Sequence, residues 1–434
     1  MIRARATVAA VCLTLPLTLA HADTAPEQPD ISWAYGTIVD SVTVSGNRNT
    51  KGYVILREMQ TQPGAVLNQK DFERDIRFIT DLSPIQTAIA RIDSAGAGHV
   101  IIRLTVTERS AILVGSILPL VKYNFETGLN YGVRWQEANF RGRLENLTFV
   151  YFRNERDDND VSFGWGAPWI GWNHISVGVG TRYFERGRVP DQRGVLESFG
   201  VQGFLALPLT ESRARFAQIV GSLNYNRERL GSKGNPTENE ITLSPAMSFR
   251  YDSRDSRVRP NRGSTVFVAQ RVSYPLVSER RPYYLFRNEI RTFVGVGPKN
   301  VIAFLSNLTY QFGDFPEFNL FGMGGPGSLR GYPSRRFVGW HRWFGTVEWR
   351  HTLIPTHVFS LPVIKTFDIG LGLTMFMDSG IVWEGAYNFS LDRLHGTTGL
   401  GIRLYNPIRD VLRMDVGFTA DGDVRFSFAS GVRF

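Results

Sequence analysis

The last eleven residues of the chain, 424–434, alternate between apolar and polar side chains. The segment has the sequence VRFSFASGVRF, and its apolar series is Val424, Phe426, Phe428, Val432 and Phe434, broken at Ser430. A period of two is the period of a β-strand, whose side chains point alternately to two faces. One apolar and one polar face suit the wall of a transmembrane β-barrel, between lipid and a polar lumen. A terminal strand of a soluble sheet is the alternative that this segment alone leaves open.

The amino terminus predicts export from the cytoplasm. Two arginines precede an apolar run over residues 6–19, and a small-x-small site ends at Ala22, so residues 1–22 are predicted to be a secretory signal peptide. The one cysteine, Cys12, lies in this segment, and the processed chain is therefore expected to have no disulfide. No apolar run of about 18 residues follows, so no transmembrane helix is expected. These features leave a soluble periplasmic protein or an outer-membrane barrel.

The composition suits a membrane-embedded wall of strands. The 434 residues include 43 glycines, 30 phenylalanines, 15 tyrosines and 9 tryptophans, as expected for close-packed strands with aromatic girdles at the two membrane surfaces. Mean hydropathy is −0.14, which fits a barrel because alternate residues face a polar lumen. The net charge of +9 is spread along the chain. Such a surface suits the phosphates of lipopolysaccharide, or simply keeps loops solvated, and no nucleic-acid partner is expected.

Residues 37–109, after a linker at 23–36, predict a small α/β domain. The predicted order is strand, helix, helix, strand and strand, near 38–44, 51–59, 68–80, 87–93 and 99–107. The phrases VTVSGNRNT, QPGAVLNQKDFERDI and VTERS resemble a polypeptide-transport-associated (POTRA) domain. This resemblance implies a periplasmic module that binds extended segments by adding them to its sheet edge. A structural domain without a ligand is the alternative.

Residues 110–434 predict a barrel of sixteen strands. The alternating segments centre near Ser116, Tyr131, Phe149, Phe163, Val179, Val201, Val220, Met247, Val268, Glu289, Ser306, Val347, Leu373, Gly401, Val416 and Phe428. Connections after odd-numbered segments tend to be long, as at 227–239 and 313–342, which is typical of a barrel with a periplasmic amino-terminal domain. The predicted fold is therefore mainly β: a sixteen-stranded transmembrane antiparallel β-barrel preceded by one small α/β POTRA domain.

The longest connection contains residues suited to an ion pair in the lumen. In the glycine-rich segment FGMGGPGSLRGYPSRRF, at 321–337, Arg330 offers a planar fork that fits a carboxylate. The alternation of residues 368–378 directs Asp378 to the lumen, and that of the preceding segment directs Glu348 there. A loop folded into the barrel would place Arg330 on Asp378, with Glu348 nearby. A solvated surface position for Arg330 is equally consistent with these residues.

Several motifs together resemble the bacterial surface antigen superfamily of outer-membrane proteins. They are LRGY at 329–332, FMDSG at 376–380, TVEWR at 346–350, GLGIR at 399–403, GVRWQEANFRGR at 132–143 and YDSRDSRVRPNRG at 251–263. That superfamily contains the BamA/TamA-type barrel-assembly insertases and the two-partner-secretion translocators. The resemblance implies that Arg330 lies in the lumen against Asp378; with Gly331, Tyr332 and Glu348, this pair forms the predicted lumen lock.

The same resemblance implies that the first and last of the sixteen strands meet at a weak seam. The last strand then carries the signal that directs the barrel to the membrane, and it forms one side of the seam. Phe426, Phe428 and Phe434 are the residues predicted for these two roles.

The predicted function involves no catalysis. The sequence contains no GxSxG nucleophile motif and no HExxH motif, so neither an enzymatic activity nor a cofactor or metal is expected. One POTRA domain replaces the several of full insertases, so docking of several partner lipoproteins is not expected. The predicted role is to assist client polypeptides in insertion into, or translocation across, the outer membrane. The alternative is a passive pore or structural barrel that anchors one periplasmic partner.

Three kinds of partner follow from this prediction. The barrel is expected to contact outer-membrane lipid, including lipopolysaccharide. The POTRA domain and the seam are expected to bind an unfolded or extended client polypeptide. The POTRA domain is also the expected site for a periplasmic partner, because it is predicted to lie in the periplasm.

Overall fold

The computed structural model describes residues 29–434 apart from 81, 110–114, 125–127, 156–157, 171–174, 188–193, 211–215, 233–234, 256–258, 360–366, 386–387, 406–410 and 431–434. The predicted signal peptide and Phe434 lie outside the described residues. Among the residues that the structure does describe, no helix is long and apolar enough to cross a membrane.

The amino-terminal domain has the order of elements that its sequence predicts. These are β1 (Ile38–Ser45), α1 (Gly52–Leu56), α2 (Gln69–Thr80), β2 (Ile85–Gly96) and β3 (His99–Glu108), after a short 3-10 helix at Ser32–Ala34. The central strand of its sheet is β3, which pairs with β1 in parallel and with β2 in antiparallel orientation. Both β1 and β2 are therefore edge strands.

One hydrophobic core joins the two helices to one face of this sheet. Four alternate residues of β3 are buried in it: Val100, Ile102, Leu104 and Val106. Phe72 and Ile79 of α2 are also buried there, because residues seven apart lie on the same face of a helix. Asn68 caps α2, since its side-chain oxygen accepts a hydrogen bond from the backbone nitrogen of Asp71 at 3.2 Å.

Sixteen further strands form one antiparallel sheet. They are β4 (Gly115–Asn124), β5 (Gly128–Phe140), β6 (Glu145–Asn154), β7 (Asn159–Ile170), β8 (Ile175–Gly187), β9 (Val195–Pro208), β10 (Phe216–Ser232), β11 (Asn235–Asp252), β12 (Gly263–Pro275), β13 (Tyr283–Val296), β14 (Asn300–Gly313), β17 (His341–Phe359), β18 (Phe367–Trp383), β19 (His395–Tyr405), β20 (Val411–Thr419) and β21 (Val424–Ser430). Between β14 and β17, β15 (Phe321–Met323) and β16 (Phe337–Gly339) form a separate hairpin. Each predicted segment centre lies in one of the sixteen strands, which confirms the predicted architecture.

The sheet has an apolar outer face and a largely polar inner face. In β18, Met375 and Met377 are both 53% exposed, whereas Phe376 is 5% exposed and Asp378 is fully buried. The two ends of the sheet meet, because β21 lies beside β4 with Cα atoms within 8 Å. The sheet therefore closes into a barrel, with the exposed apolar residues on its outside.

One predicted connection is wrong. The segment 227–239 does not form a long loop, because β10 and β11 pair through most of it, with Arg227 opposite Ile241 and Leu230 opposite Glu238. The hydrogen bonds of a β-ladder join backbone groups, so polar side chains do not end a strand. The polar composition of this segment is therefore a poor signal for a loop.

The amino-terminal domain rests on the turn between β5 and β6. The backbone nitrogen of Lys51 donates to the carbonyl oxygen of Gly142 at 2.9 Å. The amide nitrogen of Asn139 donates to the hydroxyl of Thr50 at 3.0 Å, and Leu144 packs against the core of the domain. The domain is thus attached to the barrel through the second and third strands as well as through the chain that leads into β4.

Replacing Ile102 with alanine should destabilise the amino-terminal domain. Ile102 is fully buried, and its truncation removes apolar contacts and leaves a cavity, at a cost of about 2–5 kcal/mol in the free energy of unfolding. Ile101→Ala is the matched control, because Ile101 lies on the opposite, partly exposed face of the same strand. Limited proteolysis within residues 37–109 of the folded protein measures the difference. Equal protection of the two variants would contradict this assignment of the core.

Candidate functional site

The connection between β14 and β17 packs against the inner wall of the barrel. It spans residues 314–340 and includes the β15–β16 hairpin. Met323 and Leu329 of this connection are fully buried in a cluster with Leu305 of β14 and Phe344 of β17. Leu305 and Phe344 lie on the inner face of their strands, so the connection folds into the lumen.

Arg330 lies at the centre of this contact and binds two carboxylates. Its Nε donates to Asp378 Oδ2 at 2.9 Å and its Nη2 donates to Asp378 Oδ1 at 2.8 Å, which makes a two-pronged pair. Its Nη1 donates to Glu348 Oε2 at 2.9 Å. The guanidinium carbon lies 3.2 Å from the centre of the Phe376 ring, so a cation–π contact covers one face of the group.

Further charged side chains extend this pair into a balanced group. Arg403 donates to Asp415 Oδ1 at 2.6 Å and to Glu348 Oε2 at 3.2 Å, and Arg350 donates to Glu348 Oε1 at 3.0 Å. We call this group the charge cluster; its members are Arg330, Arg350, Arg403, Glu348, Asp378 and Asp415. The six members carry three positive and three negative charges, so each of these buried ions lies beside a charge of opposite sign, without which its burial would be costly.

Two glycines let the loop backbone lie directly on the wall. A Cβ atom at Gly417 of β20 would lie 2.7 Å from the carbonyl carbon of Arg330. A Cβ atom at Gly331 would lie 2.9 Å from Cγ2 of Thr419, also in β20. Neither position has room for a side chain unless the loop and the strand move apart.

Tyr332 is placed beside the charge cluster rather than in it. Its ring is 8% exposed and packs edge-on against Phe337, with ring centres 5.0 Å apart. Its carbonyl oxygen accepts a hydrogen bond from the backbone nitrogen of Gly325 at 2.9 Å. Tyr332 therefore holds the turn of the loop that presents Arg330.

Two of the three residues predicted for the last strand, Phe426 and Phe428, lie on the outer face of the barrel. Phe426 is 61% exposed and stands opposite Val416 of β20. Phe428 stands opposite Met414 in the same ladder. Phe434 lies beyond the residues that the structure describes.

Sequence reasoning missed three members of the charge cluster: Arg350, Arg403 and Asp415. Arg403 and Asp415 each lie between apolar neighbours, whereas Arg350 lies between Trp349 and His351. The alternation is therefore a signal that could have identified Arg403 and Asp415. Their convergence on one point depends on strand register, in which Gly401 stands opposite both Thr374 and Asp415. The register between distant strands cannot be read from a single sequence.

Two models of known protein families together match nearly all of the described chain. Residues 139–434 match the family model described as the Omp85 superfamily domain. Residues 37–108 match the POTRA model, described as the surface antigen variable number repeat. The outer membrane protein assembly factor BamA of Nitratidesulfovibrio vulgaris is 24% identical over 430 residues, in a match that covers 91% of this chain and 51% of that protein. The chain thus spans about half the length of this relative.

Solved structures of similar architecture include BamA and CdiB proteins. BamA from Haemophilus ducreyi lacking POTRA domains 1–3 aligns with a TM-score of 0.62 at 17% identity, over 95% of this chain and 89% of that one. CdiB from Escherichia coli aligns with a TM-score of 0.64 at 12% identity, over 91% and 76% of the two chains. CdiB from Acinetobacter baumannii gives 0.60 at 15% identity, over 92% and 74%. At these identities the likeness establishes the fold.

Replacing Arg330 with alanine should release the loop from the barrel wall. The change leaves Asp378 and Glu348 buried with one partner fewer, which costs about 3–5 kcal/mol. Arg336→Ala is the matched control, because Arg336 belongs to the same connection but is exposed. Protease cleavage within residues 324–336 should increase in the first variant alone. Unchanged resistance of the loop in Arg330→Ala would show that the charge cluster does not hold it.

Replacing Gly417 with alanine should disturb the same contact from the side of the wall. The added methyl group would overlap the loop backbone at Arg330, and overpacking of this kind costs about 1–3 kcal/mol. Gly327→Ala is the control, because a Cβ atom at Gly327 of the loop meets nothing within 4 Å. The temperature at which the folded barrel loses its compact migration in gel electrophoresis should fall for Gly417→Ala and stay constant for Gly327→Ala. A lower temperature for Gly327→Ala than for Gly417→Ala would contradict the close approach of the loop backbone to Gly417.

Proposed function

Because the chain belongs to the Omp85 superfamily, we propose that it assists client polypeptides in entering or crossing the outer membrane. Insertion and translocation share one physical problem: an extended segment must pass through a hydrocarbon layer without unpaired backbone groups. A strand edge that pairs temporarily with the client solves this problem. The proposal therefore depends on where this barrel offers such an edge.

The observation that carries the proposal is the meeting of β4 and β21, which we call the seam. Hydrogen-bonded ladders join the sixteen strands in one linear order from β4 to β21. Within the described residues no ladder joins β21 back to β4, although the two strands lie side by side. Unpaired edge groups are costly in hydrocarbon and act as a template for another strand. A client strand that pairs at the seam satisfies them.

The amino-terminal domain supplies an earlier binding place for the client. We propose that it lies in the periplasm, as POTRA domains of this family do. Its edge strand β2 is 12 residues long, and an extended client segment can add to such an edge through backbone hydrogen bonds. This mode of binding requires little of the client sequence, so it suits a protein that handles more than one client.

The charge cluster is proposed to keep one side of the seam rigid. It joins four consecutive strands, through Glu348 of β17, Asp378 of β18, Arg403 of β19 and Asp415 of β20. Arg330 links these strands to the loop in the lumen. Because the four strands move together, opening of the barrel is confined to the seam beyond them.

Contacts with lipopolysaccharide are proposed for the end of the barrel opposite the amino-terminal domain. Among the described residues of the connections at this end, Arg281, Arg336 and Arg393 are exposed. Guanidinium groups bind phosphate oxygens through paired hydrogen bonds. A periplasmic partner, if one is required, is expected at the amino-terminal domain.

A covalent bond across the seam should abolish client insertion. Ile117 of β4 and Phe426 of β21 are both exposed on the outer face, so Ile117→Cys is combined in turn with Val424→Cys, Phe426→Cys and Phe428→Cys. The only natural cysteine is Cys12, in the predicted signal peptide. Liposomes that contain the oxidised protein should fold an unfolded barrel client no better than liposomes without it, and a reducing agent should restore the activity.

The control is a disulfide within a ladder that is already closed. Val416→Cys with Phe426→Cys joins β20 to β21 at paired positions and should leave insertion unchanged. A seam-linked protein that remains fully active would refute the seam mechanism. Unaltered protein that never assists any client would favour the passive pore or structural barrel instead.

A further inference from the structure

A cleft of about 920 Å³ lies between helix α1 and the outer face of the barrel. Its walls come from α1 on one side and from β6 and β7 on the other. It is located where the amino-terminal domain rests on the β5–β6 turn, at the end of the strands. None of the features described above for client binding or for the charge cluster uses this cleft.

The barrel wall of the cleft continues the apolar outer face of the barrel. Trp165 of β7 stands opposite Val179 of β8, which is 44% exposed on that face. Ile170, at the end of β7, is 46% exposed and also lines the cleft. With the barrel placed in the outer membrane as proposed, the cleft opens to the boundary between hydrocarbon and headgroups, because it lies at the end of the strands. Tryptophan side chains are enriched at that boundary.

The opposite wall and the rim carry an excess of positive charge. The guanidinium of Arg57 lies 4.5 Å from the centre of the Trp169 ring. Glu145 accepts a hydrogen bond from Trp165 Nε1 at 3.3 Å and pairs with Arg141 at 3.1 Å, with Arg143 4.0 Å away.

Among the described residues that line the cleft, the charged ones are Arg57, Arg143 and Glu145. Their formal charges sum to one positive charge, which favours an anionic ligand over a cationic one.

We propose that this cleft binds a phospholipid of the periplasmic leaflet. Its phosphate lies between Arg57 and Arg143, and one acyl chain follows Trp165 and Ile170 along the barrel. A guanidinium fork suits a phosphate, and the aromatic wall suits the chain. The inference rests on the proposed placement of the barrel in the outer membrane and is independent of client handling. Because the lipid contacts both α1 and β7, it stabilises the docking of the domain on the barrel.

Photochemical labelling of the full chain in phosphatidylcholine vesicles tests the proposal. The probe is a phosphatidylglycerol that carries a diazirine near the glycerol end of one acyl chain. The control surface for the cleft is the part of β9 around Leu205, which is 45% exposed. Leu205 pairs with Val177 of β8, and Val177 pairs with Ala167 of the cleft. The segment 165–170 should be labelled several-fold more than the segment 203–208. A diacylglycerol with the same diazirine should label both segments equally, because it has no phosphate.

Arg57→Gln should reduce labelling of the cleft by roughly tenfold, the factor that corresponds to about 1.4 kcal/mol. Arg91→Gln, which removes an exposed arginine elsewhere on the domain, should not reduce it. Equal labelling of the two segments by phosphatidylglycerol, or equal labelling of the cleft by both probes, would overturn the proposal. These two comparisons use the unaltered protein and decide the question even if Arg57→Gln fails to fold. If the unaltered protein is labelled at the cleft but does not insert clients, the result counts against the proposed function and leaves the lipid proposal intact.

Discussion

Backbone amide and carbonyl groups inside a hydrocarbon layer have no water to bind, so each needs a partner within the protein. In this chain the ladders from β4 to β21 provide those partners, and the alternation of side chains follows from the same geometry. Within the described residues the ladder is interrupted where β21 meets β4. For this reason we propose that a client strand pairs at the seam rather than at another point of the wall.

The charge cluster shows how the lumen meets a second constraint, the cost of burying ions. Arg330 is among the largest fully buried side chains of the described residues, and its position is stable only because Asp378 and Glu348 accept its hydrogen bonds. Replacing such a cluster with apolar residues of similar size is often neutral for stability. We therefore infer that its role is structural specificity: it fixes which strands the loop joins and at which register.

The sequence predicted the features that depend on local periodicity. The period of two located all sixteen strands, and it placed Glu348 and Asp378 on the inner face. The partners Arg403 and Asp415 were not predicted, because strand register depends on contacts between distant segments. The docking of Thr50 on Asn139 was missed for the same reason. The segment 227–239 was misjudged because polar composition does not distinguish a loop from a hairpin whose backbone groups are paired.

The two sides of the seam are held by different parts of the molecule. On one side, β4 follows directly after the amino-terminal domain, which also binds the β5–β6 turn through Lys51 and Gly142. On the other side, β21 follows the four strands that the charge cluster joins. In the proposed mechanism, movement of the amino-terminal domain would therefore act on β4 and its neighbours, while the charge cluster keeps β17–β20 joined to the loop. In this mechanism, a client bound at the edge of β2 acts on one side of the seam alone, and this asymmetry would let its binding open the barrel without loosening the rest of the wall.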